Sequence, residues 1–331
     1  MASMAKAVIA GVEYHLPERV LTNADLAVEF PEWGAEKIAE KTGIEQRHIA
    51  AEGEFSSDLA AAAARKLFAS LGLAPGEIDF VLFCTQTPDF GLPTSACLLQ
   101  HRLGIPQSAG ALDFNLGCSG YVYGLSLAKG LIESGQAKKI LLLTGETYSK
   151  LLDPSDKTVR TIFGDAGAAT LVKAEGDGKA EGIGPFVFGT DGSGGPNLVC
   201  HRGGMRGAVA EAAGRDALWM NGPEVFNFTI RVVPAAVDEV LRRAGLRLEE
   251  IDLFVFHQAN RYMLEHLRKK LRVPEERFIV AMAHCGNTVS CTIPIALHEA
   301  RTQGRLRAGH HVMLVGFGVG YSWGATVVRW N

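Results

Sequence analysis

Cys118 lies in LDFNLGCSGYVYGL, residues 112 to 125, between Gly117 and Gly120 and directly after an apolar run. A thiol buried only for packing needs no glycine on either side. A nucleophile on a sharp strand-to-helix turn does, because the chain must bend tightly and a substrate must come close. The competing reading is a packed core cysteine, since free Cys is among the most buried residue types. At a helix N-terminus the Cys118 thiolate would be favoured by orphan amides and the helix dipole. It could then attack a thioester and hold the acyl group covalently.

Two polar side chains could serve such a thiol. His257, in DLFVFHQAN, follows an apolar stretch and precedes a helical one, with Gln258 and Asn260 beside it. Core packing explains that setting poorly, although a lone histidine is often a satisfied structural group. Asn287, in AHCGNTVS, offers a donor and an acceptor next to Gly286, or it caps a turn. His284 competes as a base but is less clearly aimed by a following helix. The glycine-rich GFGVGYSWG, residues 316 to 324, can bring backbone N–H groups close to a developing anion. It can equally turn a hairpin. Cys, His and Asn together suggest acyl chemistry, but the types alone do not separate hydrolysis from carbon–carbon bond formation.

Composition removes several classes. The chain has 331 residues, 47% of them hydrophobic, enough for one large core or two halves of ordinary domain size. A formal net charge of −3 leaves no basic domain for a nucleic acid. The N-terminal MASMAKAVIAGVEYHLP has an apolar run too short for a secretory segment. Charges and glycines interrupt every other apolar stretch before membrane-spanning length. A soluble, cytoplasmic protein is expected. Cys84, Cys97, Cys118, Cys200, Cys285 and Cys291 form no CxxC pair and no zinc-type spacing, so no metal is expected. Trp323 stands where a GxGxxG fingerprint needs its last glycine, and there is no Walker A motif.

The elements that must position these residues occur twice. Residues 57–71 read as an alanine-rich helix, followed by the strand DFVLFC, a helix near 94–103, the strand ALDFNL, a helix through YVYGLSLAKGLIES and the strand KKILLLTGE. The second half replays this as a helix over 225–246 that Pro234 starts or kinks, the strand in EEIDLFVFHQAN, a helix near 262–270, the strand RFIVAM, a helix through PIALHEA, and HHVMLVGFGVG. EID recurs at 77–79 and 250–252, an offset of 250 − 77 = 173. ILLLTG and VMLVGF recur with an offset of 312 − 140 = 172. A near-constant shift across two strands argues for duplicated halves, although buried parallel strands all resemble one another. It sets His257 opposite Cys84, at the same strand end of the other half. Loops at C-terminal strand ends carry function in open α/β sheets, so the loops of two halves can face one cleft.

TGIEQRHIA (42–50), GCSG (117–120), IFGDAGAA (162–169), HQAN (257–260), GNT (286–288) and GFGVGYSWG (316–324), in this order, resemble the beta-ketoacyl-acyl carrier protein synthase III family of thiolase-like condensing enzymes. The resemblance implies an α/β fold, a duplicated thiolase-like five-layer αβαβα sandwich. It divides the chain into residues 1–178, carrying the cysteine, and 179–331, carrying the histidine, asparagine and glycine loop. It makes Cys118 the acylated nucleophile, His257 and Asn287 the decarboxylation pair, and the amides of Cys118 and Val319 the oxyanion hole. Asp165, with Phe163 and Gly164, falls in a structural region near the cleft. Leu92 would help close the acyl pocket of a second copy in a homodimer. The implied reaction transfers a primer acyl group from acyl-CoA or acyl-ACP to Cys118. It then condenses that group with malonyl-ACP, losing CO2 and giving 3-oxoacyl-ACP. No tightly bound cofactor is implied; coenzyme A and carrier-protein phosphopantetheine thioesters are substrates.

Departures from the family pattern concern the nucleotide grip. Lys37 stands where family members that use coenzyme A place a stacking tryptophan, with Trp33 one helical turn earlier. Lys157 replaces an arginine, Pro223 an asparagine before EVF, and Tyr262, beside Arg261, an arginine after HQAN. Trp33, Lys37, Lys157, Gly222, Phe226, Asn260 and Tyr262 are the expected CoA or pantetheine contacts. Loss of a stacking face and a planar guanidinium weakens that grip. A specialised ketosynthase or acyltransferase with a non-acetyl or carrier-bound primer is therefore the alternative, and an acyl-thioester hydrolase the third reading. Relatives with hydroxymethylglutaryl or head-to-head products rely on an added glutamate base, for which Glu146 is the carboxylate to check. Arg65, Lys66, Arg242, Arg243, Lys269 and Lys270 are candidates for meeting an acidic carrier.

Overall fold

Runs of Val, Ile and Leu that favour strands alternate with amphipathic helical segments along the chain, and the computed structural model describes residues 5–176, 182–206 and 216–331. The first half comprises β1 (Lys6–His15), β2 (Arg19–Thr22), α1 (Asn23–Glu29), α2 (Ala35–Thr42), β3 (Gln46–Ile49), α3 (Ser56–Leu71) and β4 (Phe80–Cys84). It continues with α4 (Ser95–Arg102), β5 (Gly110–Phe114), α5 (Gly120–Glu133), β6 (Lys139–Glu146), α6 (Lys157–Arg160) and β7 (Ala166–Glu175). The second comprises β8 (Ile183–Thr190), β9 (Leu198–Cys200), β10 (Leu218–Met220), α7 (Gly222–Ala244) and β11 (Leu253–Phe256). After these come α8 (Arg261–Leu271), α9 (Thr292–Thr302), β12 (His311–Gly318) and β13 (Ser322–Arg329). The expected division between residues 178 and 179 lies outside the described residues.

The two main sheets have one plan. The first is ordered β1-β7-β6-β4-β5 and the second β8-β13-β12-β11. Parallel strands, three in the first sheet and two in the second, adjoin an antiparallel pair in each. Phe80 of β4 pairs with Ile140 of β6, and Leu253 of β11 with Val312 of β12. These are the partners that the offsets of 173 and 172 relate. The duplication read from the sequence is therefore a duplication of register. Asp79 and Asp252, the aspartates of the two EID phrases, cap it in the same way. Each carboxylate accepts the N–H that opens the neighbouring strand, Lys139 at 2.9 Å and His311 at 2.8 Å.

Alternation along the strands builds the layers, because successive side chains point to opposite faces. Val81, Phe83, Leu141 and Leu143 pack against Ala60, Ala64 and Leu67 of α3 and Leu99 of α4. Leu82 and Leu142 face the other way. They share a core with Val122 and Leu125 of α5, Ile293 and Leu297 of α9, and Leu253, Val255, Val312 and Leu314 of the second sheet. Phe254, Phe256, Met313 and Val315 face outward onto Phe228 and Val237 of α7 and Leu264 and Leu267 of α8. Helix, sheet, helix, sheet, helix is the expected five-layer order. Each large side chain buried this way contributes about 1.5–3 kcal/mol.

Two local expectations differ from the structure. RFIVAM forms no strand. It makes a single bridge, Phe254 to Phe278, and one N–H donation from Ile279 to the Phe254 carbonyl at 3.0 Å. The Gln258 side chain takes the ladder's place: its Nε2 donates to the Ile279 carbonyl at 3.2 Å, and its Oε1 accepts from the Ala281 N–H at 2.8 Å. Pro234 neither starts nor breaks a helix, since α7 runs through it. A proline leaves the carbonyl four residues back without its intrahelical partner. Here that carbonyl, of Ile230, accepts from Lys270 Nζ at 2.7 Å.

Candidate active site

Cys118 stands just before the N-cap of α5, Ser119, and the glycines around it are there because space is short. A Cβ on Gly120 would overlap Cys84 Sγ, and one on Gly117 would overlap Gln86 Oε1. Across from the thiol, a Cβ on Gly318 would sit 2.8 Å from Cys118 Sγ, and one on Gly316 2.7 Å from the Ser119 Cα. The β12–β13 hairpin thus lies against the turn of Cys118, and the Ser119 and Ser322 hydroxyls join the two at 2.7 Å. GFGVGYSWG forms the hairpin the sequence allowed, and it brings the Val319 backbone to the Cys118 sulfur.

The resting thiol is less acidic than its helix position implied. Burial first, and then the nearby Glu146 carboxyl, push it up to about 12, while the backbone groups of Cys118 and Val319 pull the other way. Desolvation of a charge outweighs a few oriented amides. Below that value the group is a thiol, and its thiolate fraction rises tenfold per pH unit. Alkylation of the free protein by iodoacetamide is therefore expected to keep accelerating above pH 10. A plateau near pH 8 would show a thiolate stabilised without substrate.

His257 lies at the end of β11, 2% exposed. Its N–H donates to the Val315 carbonyl at 2.8 Å, which continues the β11–β12 ladder. Burial carries the imidazole down to about 3, so it is neutral at any physiological pH. Its Nδ1 lies 2.7 Å from the Thr292 hydroxyl. Asn287 comes from the same half as His257 but is held by the other. Its N–H donates to the Ile162 carbonyl at 2.9 Å, and its own carbonyl accepts from the Gly164 N–H at 3.1 Å. Asn287 Oδ1 accepts from the Val289 N–H at 2.9 Å and its Nδ2 donates one hydrogen to the Ala259 carbonyl at 3.5 Å, which leaves the second Nδ2 hydrogen as its outward donor. Val289 has φ +55°, a conformation that costs a β-branched residue about 1–3 kcal/mol. The strain is held where it orients the asparagine.

The motif residues outside the reacting set build this junction. Gly286 has φ +74°, and a Cβ there would lie 2.9 Å from the Ile162 carbonyl. Asp165, fully buried, accepts from the Ala50 and Ser149 N–H groups, each at 2.8 Å. Arg47, also fully buried, donates to the Thr161 carbonyl at 2.7 Å and to Asn23 Oδ1 at 2.8 Å. Burial brings its guanidinium down to about 10. These groups tie residues 21–50 to the 161–165 segment that clamps Asn287.

Cys118, His257 and Asn287 line one pocket, with Gly222, Asn260 and Gly318, and with apolar walls from Tyr148, Phe163, Leu198, Met220 and Phe317. The volume of this pocket is about 70 Å3. Of the expected substrate contacts, Gly222 and Asn260 reach this pocket, although Asn260 Oδ1 is engaged in capping α8 at the Met263 N–H, 2.8 Å away. Phe226 and Tyr262 pack on each other, ring centroids 5.5 Å apart, with Tyr262 exposed. Trp33, Lys37 and Lys157 form a separate cluster. Trp33 is not on the helix of Lys37, because it precedes the N-cap Gly34. Lys37, Lys41 and Lys157 surround its ring at 5.7, 5.0 and 5.7 Å.

Other expectations resolve as structure. Glu146 is fully buried, accepts from Ser290 Oγ at 2.8 Å and the Gln86 N–H at 3.0 Å, and does not line the pocket. Burial raises its carboxyl to about 8. His284 is half-buried near Glu299 and His48, outside the pocket. Arg242 and Arg243 both pair with Glu239 at 2.7 Å, so that charge is partly spent within α7. Tyr148 and Thr292 were not singled out by sequence reasoning. Tyr148 stands two residues past Glu146, and its hydroxyl donates to Gln86 Oε1 at 2.8 Å. Nothing in its local pattern marks it as a pocket wall. Among the described residues no group of three His, Cys, Asp or Glu side chains could hold a metal. No described helix is long and apolar enough to cross a membrane.

A thiol at the start of the central helix, sharing one pocket with a neutral imidazole and a carboxamide from the second half, fits the thiolase-fold condensing enzymes. Residues 112–192 match the family model described as 3-oxoacyl-[acyl-carrier-protein (ACP)] synthase III, and residues 241–330 match its C-terminal counterpart. The beta-ketoacyl-[acyl-carrier-protein] synthase III of Rhodospirillum centenum is 41% identical over 98% of this chain and 99% of its own length. That of Caldanaerobacter subterraneus subsp. tengcongensis is 36% identical over the whole of both. A crystal structure of a 3-oxoacyl-(acyl-carrier-protein) synthase III shares 56% identity at a TM-score of 0.95, covering 98% of this chain and 100% of that one. The corresponding enzyme of Pseudomonas aeruginosa PAO1 shares 35% at 0.90, covering 98% of each. The chain belongs to the beta-ketoacyl-acyl carrier protein synthase III family. Its activity is a decarboxylating condensation that makes a 3-oxoacyl thioester at the start of fatty-acid synthesis.

Proposed function

We propose that Cys118 takes a primer acyl group from its thioester and that His257 and Asn287 then act on malonyl-ACP. The observation that carries this is the meeting of all three in one apolar pocket. Acyl transfer passes through a tetrahedral anion, for which the Cys118 and Val319 amides are the donors. The thioester oxygen of malonyl receives hydrogen bonds from His257 Nε2–H and Asn287 Nδ2–H, which stabilise the enolate formed as CO2 leaves. That carbanion attacks the acyl-cysteine and releases 3-oxoacyl-ACP. Neutral dipoles suited to a developing charge perform this step without a charged acid. The proof is an assay of labelled acyl thioester with malonyl-ACP, followed for 3-oxoacyl product and CO2. Release of free acid alone would establish a hydrolase.

The small space at the thiol favours a short primer. The lysine-ringed Trp33 favours a weak hold on coenzyme A: its faces are shared with ammonium groups, and lysines meet phosphate as point charges rather than as a bidentate fork. A carrier-bound or specialised short primer fits this best. Acetyl-coenzyme A that acylates Cys118 rapidly and saturates at low concentration would defeat that part. A homodimer is supported by Leu92, 85% exposed, with Phe90 at 59% and Leu112, on the edge strand β5, at 44%. An unpaired edge with apolar side chains invites a second copy. Sedimentation as a monomer at micromolar concentration would remove it.

A further inference from the structure

Thr292, the first residue of α9, has one hydroxyl hydrogen and two places for it. Its Oγ1 lies 2.7 Å from His257 Nδ1 and 3.0 Å from the Val289 carbonyl oxygen. If the hydrogen goes to Val289, Nδ1 must itself carry a proton and donate to the threonine oxygen. In the neutral ring Nε2 is then bare and can only accept. If the hydrogen goes to Nδ1, that nitrogen accepts and Nε2 carries the ring proton. Nε2 has no hydrogen bond among the described residues, and the ring lines the pocket beside Cys118. The Val289 carbonyl also faces the imidazole, so without a competing donor it draws the proton to Nδ1.

We infer that Thr292 is a positioning residue whose hydroxyl, donated to Nδ1, sets the His257 tautomer that presents Nε2–H to the malonyl thioester. This rests on the role given to His257 above, where the imidazole must donate to an oxygen. A ring with a bare Nε2 would turn a lone pair toward that oxygen and oppose the enolate. Thr292 touches no substrate; it acts through the histidine. The strained Val289 has a part in the choice, because its carbonyl is the rival acceptor and its N–H fixes Asn287.

The experiment compares T292V, T292S and H257A in the full-length protein, measuring acylation of Cys118 and decarboxylation of malonyl-ACP separately, with 15N NMR of the histidine ring. T292V keeps the shape and removes the hydrogen. It is expected to lower decarboxylation about 100-fold, to change acylation less than threefold, and to move the ring proton to Nδ1. T292S is expected to restore decarboxylation to within fivefold, with the proton on Nε2. Wild-type decarboxylation by T292V while H257A is dead would overturn the inference and leave the histidine's role standing. Wild-type decarboxylation by H257A would overturn both. An equal loss of both half-reactions in T292V, with the tautomer unchanged, would assign Thr292 a purely structural role and also overturn it.

Discussion

Replacing Cys118 by alanine is expected to yield a folded protein that gains no acyl mass from any primer thioester and forms 3-oxoacyl product at less than about 10⁻⁴ of the native rate. The reason is covalent: without sulfur there is no acyl-enzyme, and the two-step route has no first step. Stability should change little, because the substitution removes one atom from a small apolar cluster with Tyr148, Phe163 and Val289. Decarboxylation of malonyl-ACP should survive, since His257 and Asn287 do not depend on the thiol for their positions. Intact-mass spectrometry reads the first result and CO2 release the last. An acyl adduct on the C118A protein would place the nucleophile elsewhere.

The second large effect falls on the other half-reaction. H257A and N287A should each lower malonyl decarboxylation by about 10²–10³, the usual loss for one preorganised donor at a developing oxyanion. Acyl transfer to Cys118 should fall less than tenfold in either. The double variant should lose less than the product of the two, because the donors act on one oxygen as a unit. Stopped-flow acylation and CO2 release, run separately, make the split visible. Equal losses in both half-reactions would mean that the pair orders the pocket rather than stabilising the enolate.

Much of this site could be read one residue at a time. Glycines at 117, 120, 316 and 318 announced a close approach, and the structure shows what approaches: Gln86, Cys84 and the Cys118 turn. The acidity of Cys118 could not be read that way. The helix start is local and visible, whereas burial among Tyr148, Phe163 and Val289 comes from segments 30 to 171 residues away. RFIVAM has strand propensity, but a glutamine 21 residues earlier takes its backbone partners. Pro234 could start a helix, but α7 begins at Gly222 and runs through it, and a lysine 36 residues on meets the carbonyl it leaves open. Propensity is weak against a well-placed side chain from elsewhere.

By itself the chain determined which residue types could react and that its two halves repeat, because hydrophobic period, glycine placement and recurring phrases are written along the backbone. The five layers came from the family resemblance, and they suit strands whose two alternating faces must both find cover. Tertiary structure alone decided that a histidine from one half and an asparagine held by the other share a pocket with the thiol. It also decided that the thiol is desolvated, and that one threonine hydrogen chooses between two acceptors. Those are properties of distance and dielectric between groups far apart in sequence, and they exist only once the layers have closed.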